Sequence, residues 1–180
     1  MFRFLIARLV YTDGVNTLLS LGGVFAAIIF DMPFQELLLF GIVMNISAGL
    51  GAFLLARLSD IIGSARMVAL SLLAIIALGA VVIATHDKIL FWVGANALAL
   101  FVGPVQSASR SFMAELAPKE MLTQMFGLYA LSGKVTSFIA PFLVATITRI
   151  SHSERIGMSS VFVLMLVGLV IIFPIVKKER

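Results

Sequence analysis

The chain has 180 residues, 61% hydrophobic and only 12% charged, with a net charge of +4 and no cysteine. A soluble domain carries about a quarter charged residues and cannot hide so much apolar surface, so lipid must be the solvent for much of this chain, in keeping with its mean hydropathy of +1.14. The thirteen basic residues are scattered between apolar runs without a stripe or arm, which removes nucleic acid as a partner, and the lack of cysteine removes disulfides and thiolate metal sites.

A helix needs about 20 predominantly apolar residues to cross the hydrocarbon core. Six stretches qualify: residues 4–30, 36–56, 67–85, 89–112, 124–148 and 157–176. In the first, Asp13, Asn16, Thr17 and Ser20 fall at i, i+3, i+4 and i+7, one helical face. The second carries Asn45, Ala48, Gly49, Ala52 and Ala56 as a stripe of small and polar groups. Residues 57–66 follow as a loop containing Asp60-x-x-Gly63-x-x-Arg66, in which Asp60 can cap a helix start and pair with Arg66 while Gly63 permits a tight turn. The third stretch is almost purely aliphatic. The fourth offers Asn96, Gly103, Ser107, Arg110 and Ser111; the fifth offers Ala130, Gly133, Lys134, Ser137 and Pro141; the sixth is again apolar.

Polar side chains inside a bilayer must face protein or a water-filled cavity. The third and sixth helices therefore read as lipid-facing staves, and the order polar, polar, apolar occurs twice. Phe40-Gly41 ahead of Asn45 and Phe126-Gly127 ahead of Ser132-Gly133-Lys134 echo the same repeat. Three helices per unit make two such units inverted in the membrane, a 3+3 inverted repeat. Asp13-Gly14, Gly103-Pro104 and Ala140-Pro141 are breakers at membrane depth, which either open backbone toward a substrate or reflect the ordinary use of Gly and Pro in membrane helices.

The candidates for substrate or coupling contacts are Asp13, Asn16, Ser20, Asn45, Asn96, Ser107 and Lys134. The faces holding Asp13, Asn16, Ser20, Asn96 and Ser107 are expected to line a central cavity. Asp13 and Lys134 each lie roughly 14–15 Å into their spans, so matched depth and opposite sign permit an ion pair between the first and fifth helices, either a static tie or one that breaks when a proton or anionic group competes and so couples binding to movement. Asp60, Gly63, Arg66 and Arg110 are candidates for a cytoplasmic gate, Arg110 as an interfacial anchor or as a contact to Asp60 or Glu115. An even number of spans puts both ends on one side, which collects nine of the thirteen basic residues and is therefore cytoplasmic.

Asp60-x-x-Gly63-x-x-Arg66 resembles the cytoplasmic loop motif of the major facilitator superfamily. The runs Tyr11-Thr12-Asp13-Gly14-Val15-Asn16-Thr17-Leu18, Gly103 to Ser111 and Phe126 to Lys134 narrow the resemblance to the C-terminal half of its vacuole-effluxer-like branch, over nearly the whole chain. The resemblance implies an all-α polytopic fold, residues 1–180 forming one six-helix domain that is half of a major facilitator transporter. It implies secondary active transport of a small solute in the inner or plasma membrane, with amino acids the class associated with the fungal members. It also implies a partner, either an N-terminal six-helix half or a second copy. No cofactor or metal is expected. The rival readings are an intramembrane enzyme and an accessory or truncated subunit without transport of its own. For the enzyme, His86 and His152 fall in loops and His-Glu-x-x-His does not occur.

Overall fold

A computed structural model describes residues Phe2 to Lys178, with side chains to Val176. Seven α-helices follow one another: α1 (Phe2–Phe30), α2 (Phe34–Ile62), α3 (Ser64–Ala84), α4 (Lys88–Leu116), α5 (Leu122–Ser132), α6 (Ile139–Ser151) and α7 (Glu154–Lys178). A single 3-10 turn, Lys119–Met121, precedes α5, and no strand occurs among the described residues. Five helices, α1, α2, α3, α4 and α7, are long and apolar enough to cross a membrane.

The helix ends follow from local chemistry. Asp31 ends α1 in a left-handed conformation (φ 48°), which Asp tolerates better than most residues, and Pro33 restarts the chain as the N-cap of α2. Asp87 caps α4, its carboxylate accepting the Leu90 N–H at 2.8 Å. His152 closes α6 in a left-handed conformation (φ 51°). Arg155 of α7 donates to the carbonyls of Ile83 and, at 2.6 Å, of Thr85, satisfying acceptors that the end of α3 leaves open.

Residues 57–66, expected as a loop, are helical except at one position. The apolar face of α2 continues through Leu58 and Ile62, and only Gly63 leaves helical geometry (φ 90°, ψ 150°), a region that residues with a Cβ rarely enter. Asp60 is exposed within α2 and caps nothing, because the N-cap of α3 is Gly63 itself.

α7 packs on α1, α3 and α6, while α4 packs on α2 and α3. The two purest apolar helices thus each have a face packed against protein. α3 buries Met67, Val68, Ser71, Leu72, Ile75, Gly79 and Val82, and α7 buries Val161, Met165 and Ile172, whereas α2 buries only Phe40 and Gly51. Each also turns a face outward, α3 through Leu70, Leu73 and Val81 and α7 through Val163, Val170 and Phe173, so both are staves with one packed and one exposed face. Lipid tails are as apolar as Leu, so an aliphatic helix is equally at home against protein or lipid. What draws α2 close to α4 is missing side chain: a Cβ on Gly51 would stand 1.8 Å from the Leu100 carbonyl oxygen, and one on Gly103 would stand 2.2 Å from that of Ala48. At one end of the bundle Phe91 joins three helices, with ring centroids 4.4 Å from Phe30 and 5.6 Å from Phe40. Beside it Glu36 pairs with Lys88 at 2.6 Å and accepts from the Trp92 indole at 3.2 Å, tying α2 to α4.

Candidate functional site

The stretch expected as one fifth span is broken. α5 ends at Ser132, residues 133–138 form turns, and α6 begins at Ile139. Pro141 has no N–H to give the carbonyl of Ser137, which removes one rung from any helix continuing out of α5, whereas proline is well placed in the first turn of a new helix; Pro104 within α4 shows that a missing rung alone does not end a helix here. Ser132 and Ser137 add side-chain bonds back to the carbonyls of Tyr129 (2.8 Å) and Lys134 (2.9 Å), competing with helical pairing.

α1 holds the broken segment at three heights. Arg8 Nη1 donates to the Tyr129 carbonyl and, at 2.6 Å, to Ser132 Oγ, while its Cζ sits 3.3 Å from the centroid of the Tyr129 ring. Thr136 Oγ1 donates to the Leu9 carbonyl at 3.0 Å. Asp13 Oδ2 accepts the Ala140 N–H at 2.8 Å, at the start of α6. The other carboxylate oxygen of Asp13, Oδ1, is buried with no partner, as are Arg8 Nε and Thr17 Oγ1.

Between α1, α4 and α5 these contacts leave a cavity of about 280 Å³. α1 contributes Arg8, Tyr11, Thr12, Val15 and Asn16; α4 contributes Val105, Gln106, Ser109 and Arg110; α5 and its following turn contribute Tyr129, Ala130, Gly133 and Lys134. Across it the Tyr11 hydroxyl and Ser109 Oγ are 2.7 Å apart. The wall is cationic: Arg8, Arg110 and Lys134 line it, and no Asp or Glu among the described residues does.

Of the five residues expected to line a central cavity, Asn16 alone lines this one; Lys134, expected as a coupling residue, and Arg110, expected as a gate or an interfacial anchor, line it as well. Asp13 is buried against α6. Ser20 bonds back to the Thr17 carbonyl and Ser107 to that of Pro104, each at 3.2 Å. Asn45 donates to the Gly41 carbonyl at 2.8 Å and borders a separate groove between α2 and α4. Asn96 is a packing residue, accepting from Ser47 at 3.0 Å and donating to the Trp92 carbonyl at 2.9 Å.

Two expected contacts do not form. Asp13 makes no ion pair with Lys134, since the carboxylate is taken by the α6 N-terminus and Lys134, in the turn after α5, is exposed to the cavity without a side-chain partner among the described residues. Matched depth assumed an unbroken fifth helix. Arg110 contacts neither Asp60 nor Glu115: Glu115 accepts from Ser64 of α3 at 2.6 Å, and five residues of helix turn Arg110 about 140° away from it. Gly63 is the hinge between α2 and α3, and Arg66 lies half-buried in the first turn of α3.

Arg8 is not among the sequence candidates, yet it is 8% exposed and lines the cavity. The signal was present, because residues 8, 11, 12, 15 and 16 fall at i, i+3, i+4, i+7 and i+8, the face that lines the cavity.

Comparison with known proteins agrees with this architecture. The chain is 24% identical over 172 residues to a protein of Bacillus subtilis (strain 168) named as an uncharacterized MFS-type transporter, YxiO, which covers 96% of the chain and 40% of that protein. It is 25% identical over 194 residues to autophagy-related protein 22 of Cryptococcus neoformans, covering 99% of the chain and 33% of the relative. With autophagy-related protein 22 of Saccharomyces cerevisiae (strain ATCC 204508 / S288c) it shares 24% identity over 179 residues, 92% of the chain and 34% of the relative. The chain thus spans between a third and two fifths of the length of these relatives. A family model described as "Vacuole effluxer Atg22 like" matches residues 1–180, and the chain belongs to that family of major facilitator, effluxer-like transporters.

Proposed function

We propose that this chain is the C-terminal six-helix half of a secondary transporter and that a small solute passes through the cavity between α1, α4 and α5. One observation carries the reading: in a chain of a transporter family, a polar cavity coincides with a helix broken at membrane depth.

α5 and α6 have 11 and 13 residues, each short of the roughly 20 needed to cross. In tandem they make one crossing, giving six in all and a 3+3 inverted repeat of α1–α3 and α4–α7. The packing supports this. α1 lies on α7 and α4 lies on α3, while α3 and α7 meet each other, the exchange that a two-fold pseudo-symmetry axis produces. Six crossings put both ends on one side, cytoplasmic by its share of basic residues. Large apolar side chains stand exposed on α2 and around the break, among them Phe53, Leu131 and Phe138, and the other half or a second copy would share these faces with lipid. Amino acids are the first substrates to test, following the resemblance.

The test is exchange in proteoliposomes preloaded with unlabelled amino acids, using the chain together with the helices that complete it. Labelled amino acid should accumulate above protein-free liposomes, and substitution of Asn16 or Arg110 should lower the rate. No exchange by a protein whose helical content is intact would overturn the transport reading.

A further inference from the structure

We propose that the cavity between α1, α4 and α5 is an oxyanion site, which holds the carboxylate or phosphate of a small solute among Arg8, Arg110 and Lys134; this deepens the transport reading and rests on it only for calling the bound solute cargo.

Three cations meet in a space of about 280 Å³, and no carboxylate lines it. Like charges in a medium poorer than water in screening raise each other's energy, and an anion placed among them relieves it. Nothing within the described residues supplies that anion. The side chains of Arg110 and Lys134 make no hydrogen bond or ion pair there. Arg8 is fixed but not neutralised: its partners are a carbonyl, a hydroxyl and the face of Tyr129, and its Nε has no acceptor. Asp13, the carboxylate of α1, is committed to the Ala140 N–H and does not line the cavity.

The arrangement suits recognition. Arg8 is a fixed cation, buried and locked against the α5 end. Arg110, on α4, and Lys134, in the turn after α5, are exposed side chains able to close on a ligand, and Asn16 and Gln106 offer neutral amides in the same lining. Guanidinium groups bind carboxylate and phosphate through paired, charge-assisted hydrogen bonds. Gly133 keeps room for the buried arginine, because a Cβ there would meet both of its terminal nitrogens at 3.1 Å.

The probes are succinate and inorganic phosphate, compared with succinamide, which matches succinate in size without its charge. Binding is measured by calorimetry on the protein in phosphatidylcholine nanodiscs. The better of the two anions should bind at least about tenfold more tightly than succinamide, the worth of one charge-assisted pair. Arg110→Gln with Lys134→Gln should abolish that preference, whereas Lys119→Gln, in the 3-10 turn outside the cavity, should leave it intact. Gly133→Ala, which crowds Arg8 without changing charge, should weaken anion binding alone. A preference seen in phosphatidylcholine but competed away by phosphatidylglycerol identifies a lipid headgroup as the oxyanion source; one that survives identifies the free solute. Equal binding of anion and amide, no binding of either anion, or a preference that persists in the double variant overturns the proposal. The first two would follow if a carboxylate from elsewhere in the protein already neutralised the site. Anion binding without exchange in liposomes sinks the transport reading alone, and exchange of neutral solutes without anion preference sinks this proposal alone.

Discussion

Asp13 is the residue whose role the structure changes most, and its substitution gives the sharpest test. Ala140 is fully buried and its N–H is one of the donors that a new helix leaves without an internal partner. Asp13 Oδ2 accepts it at 2.8 Å. Asp13→Ala removes the acceptor and leaves a buried donor orphaned, costing about 2 kcal/mol (range ~1.5–3, since the acceptor is a carboxylate). That corresponds to an opening of the first turn of α6 about 30-fold more frequent. Asp13→Asn keeps a carbonyl oxygen for Ala140 and places its amide where Oδ1 already lacks a partner. One orphan replaces another, so the change should stay below about 1 kcal/mol.

Hydrogen–deuterium exchange of the protein in nanodiscs, followed on peptides covering residues 139–144, reads this directly. Asp13→Ala should speed exchange there about 30-fold and Asp13→Asn less than about 5-fold. Lys134→Gln is the discriminating control. If Asp13 worked as an ion pair with Lys134, neutralising the lysine would loosen α6 as much as removing the aspartate. It should instead change nothing. Unchanged exchange in Asp13→Ala, or equal effects of Asp13→Ala and Lys134→Gln, would refute the capping role.

Gly63→Ala forces a Cβ into a backbone region that L residues rarely occupy (φ 90°) and should cost about 1–3 kcal/mol, seen as a lower thermal midpoint in detergent. The Glu36–Lys88 pair is short at 2.6 Å, but its side chains are 24% and 41% exposed. A double-mutant cycle with Glu36→Gln and Lys88→Gln, read by thermal unfolding in detergent, should therefore return a small coupling that shrinks with added salt.

The helices were legible because the signals for them are strong and local. Long apolar runs and flanking polar residues placed α1, α2, α3, α4 and α7 to within a few residues at most ends. Which face of an apolar helix packs against protein was not legible. In water an apolar face marks the core, but in lipid apolar residues suit both sides, so the aliphatic α3 and α7 gave no sign of which of their faces is packed. The polar face read on α1 was in fact two faces. Asp13 and Thr17 turn inward, Asn16 stands at the boundary, and the cavity face runs through Arg8, Tyr11 and Thr12. A single helical wheel centred on the deepest charge found the structural face and missed the cavity beside it.

Pro141 and Asp13 looked like two separate clues, a breaker and a buried charge, and they are one device. Proline at 141 cannot bond to the carbonyl of Ser137 and suits the first turn of a new helix, and α6 starts afresh there. A fresh start at membrane depth exposes N–H groups where no water can satisfy them. A carboxylate from α1 meets that need, which accounts for an acidic residue in a span without any cationic partner. The break in turn releases residues 133–138 from helical geometry and leaves Lys134 on the cavity wall with Arg8 and Arg110. The aspartate is therefore spent on structure, and the positive charge it might have balanced stays available to a ligand.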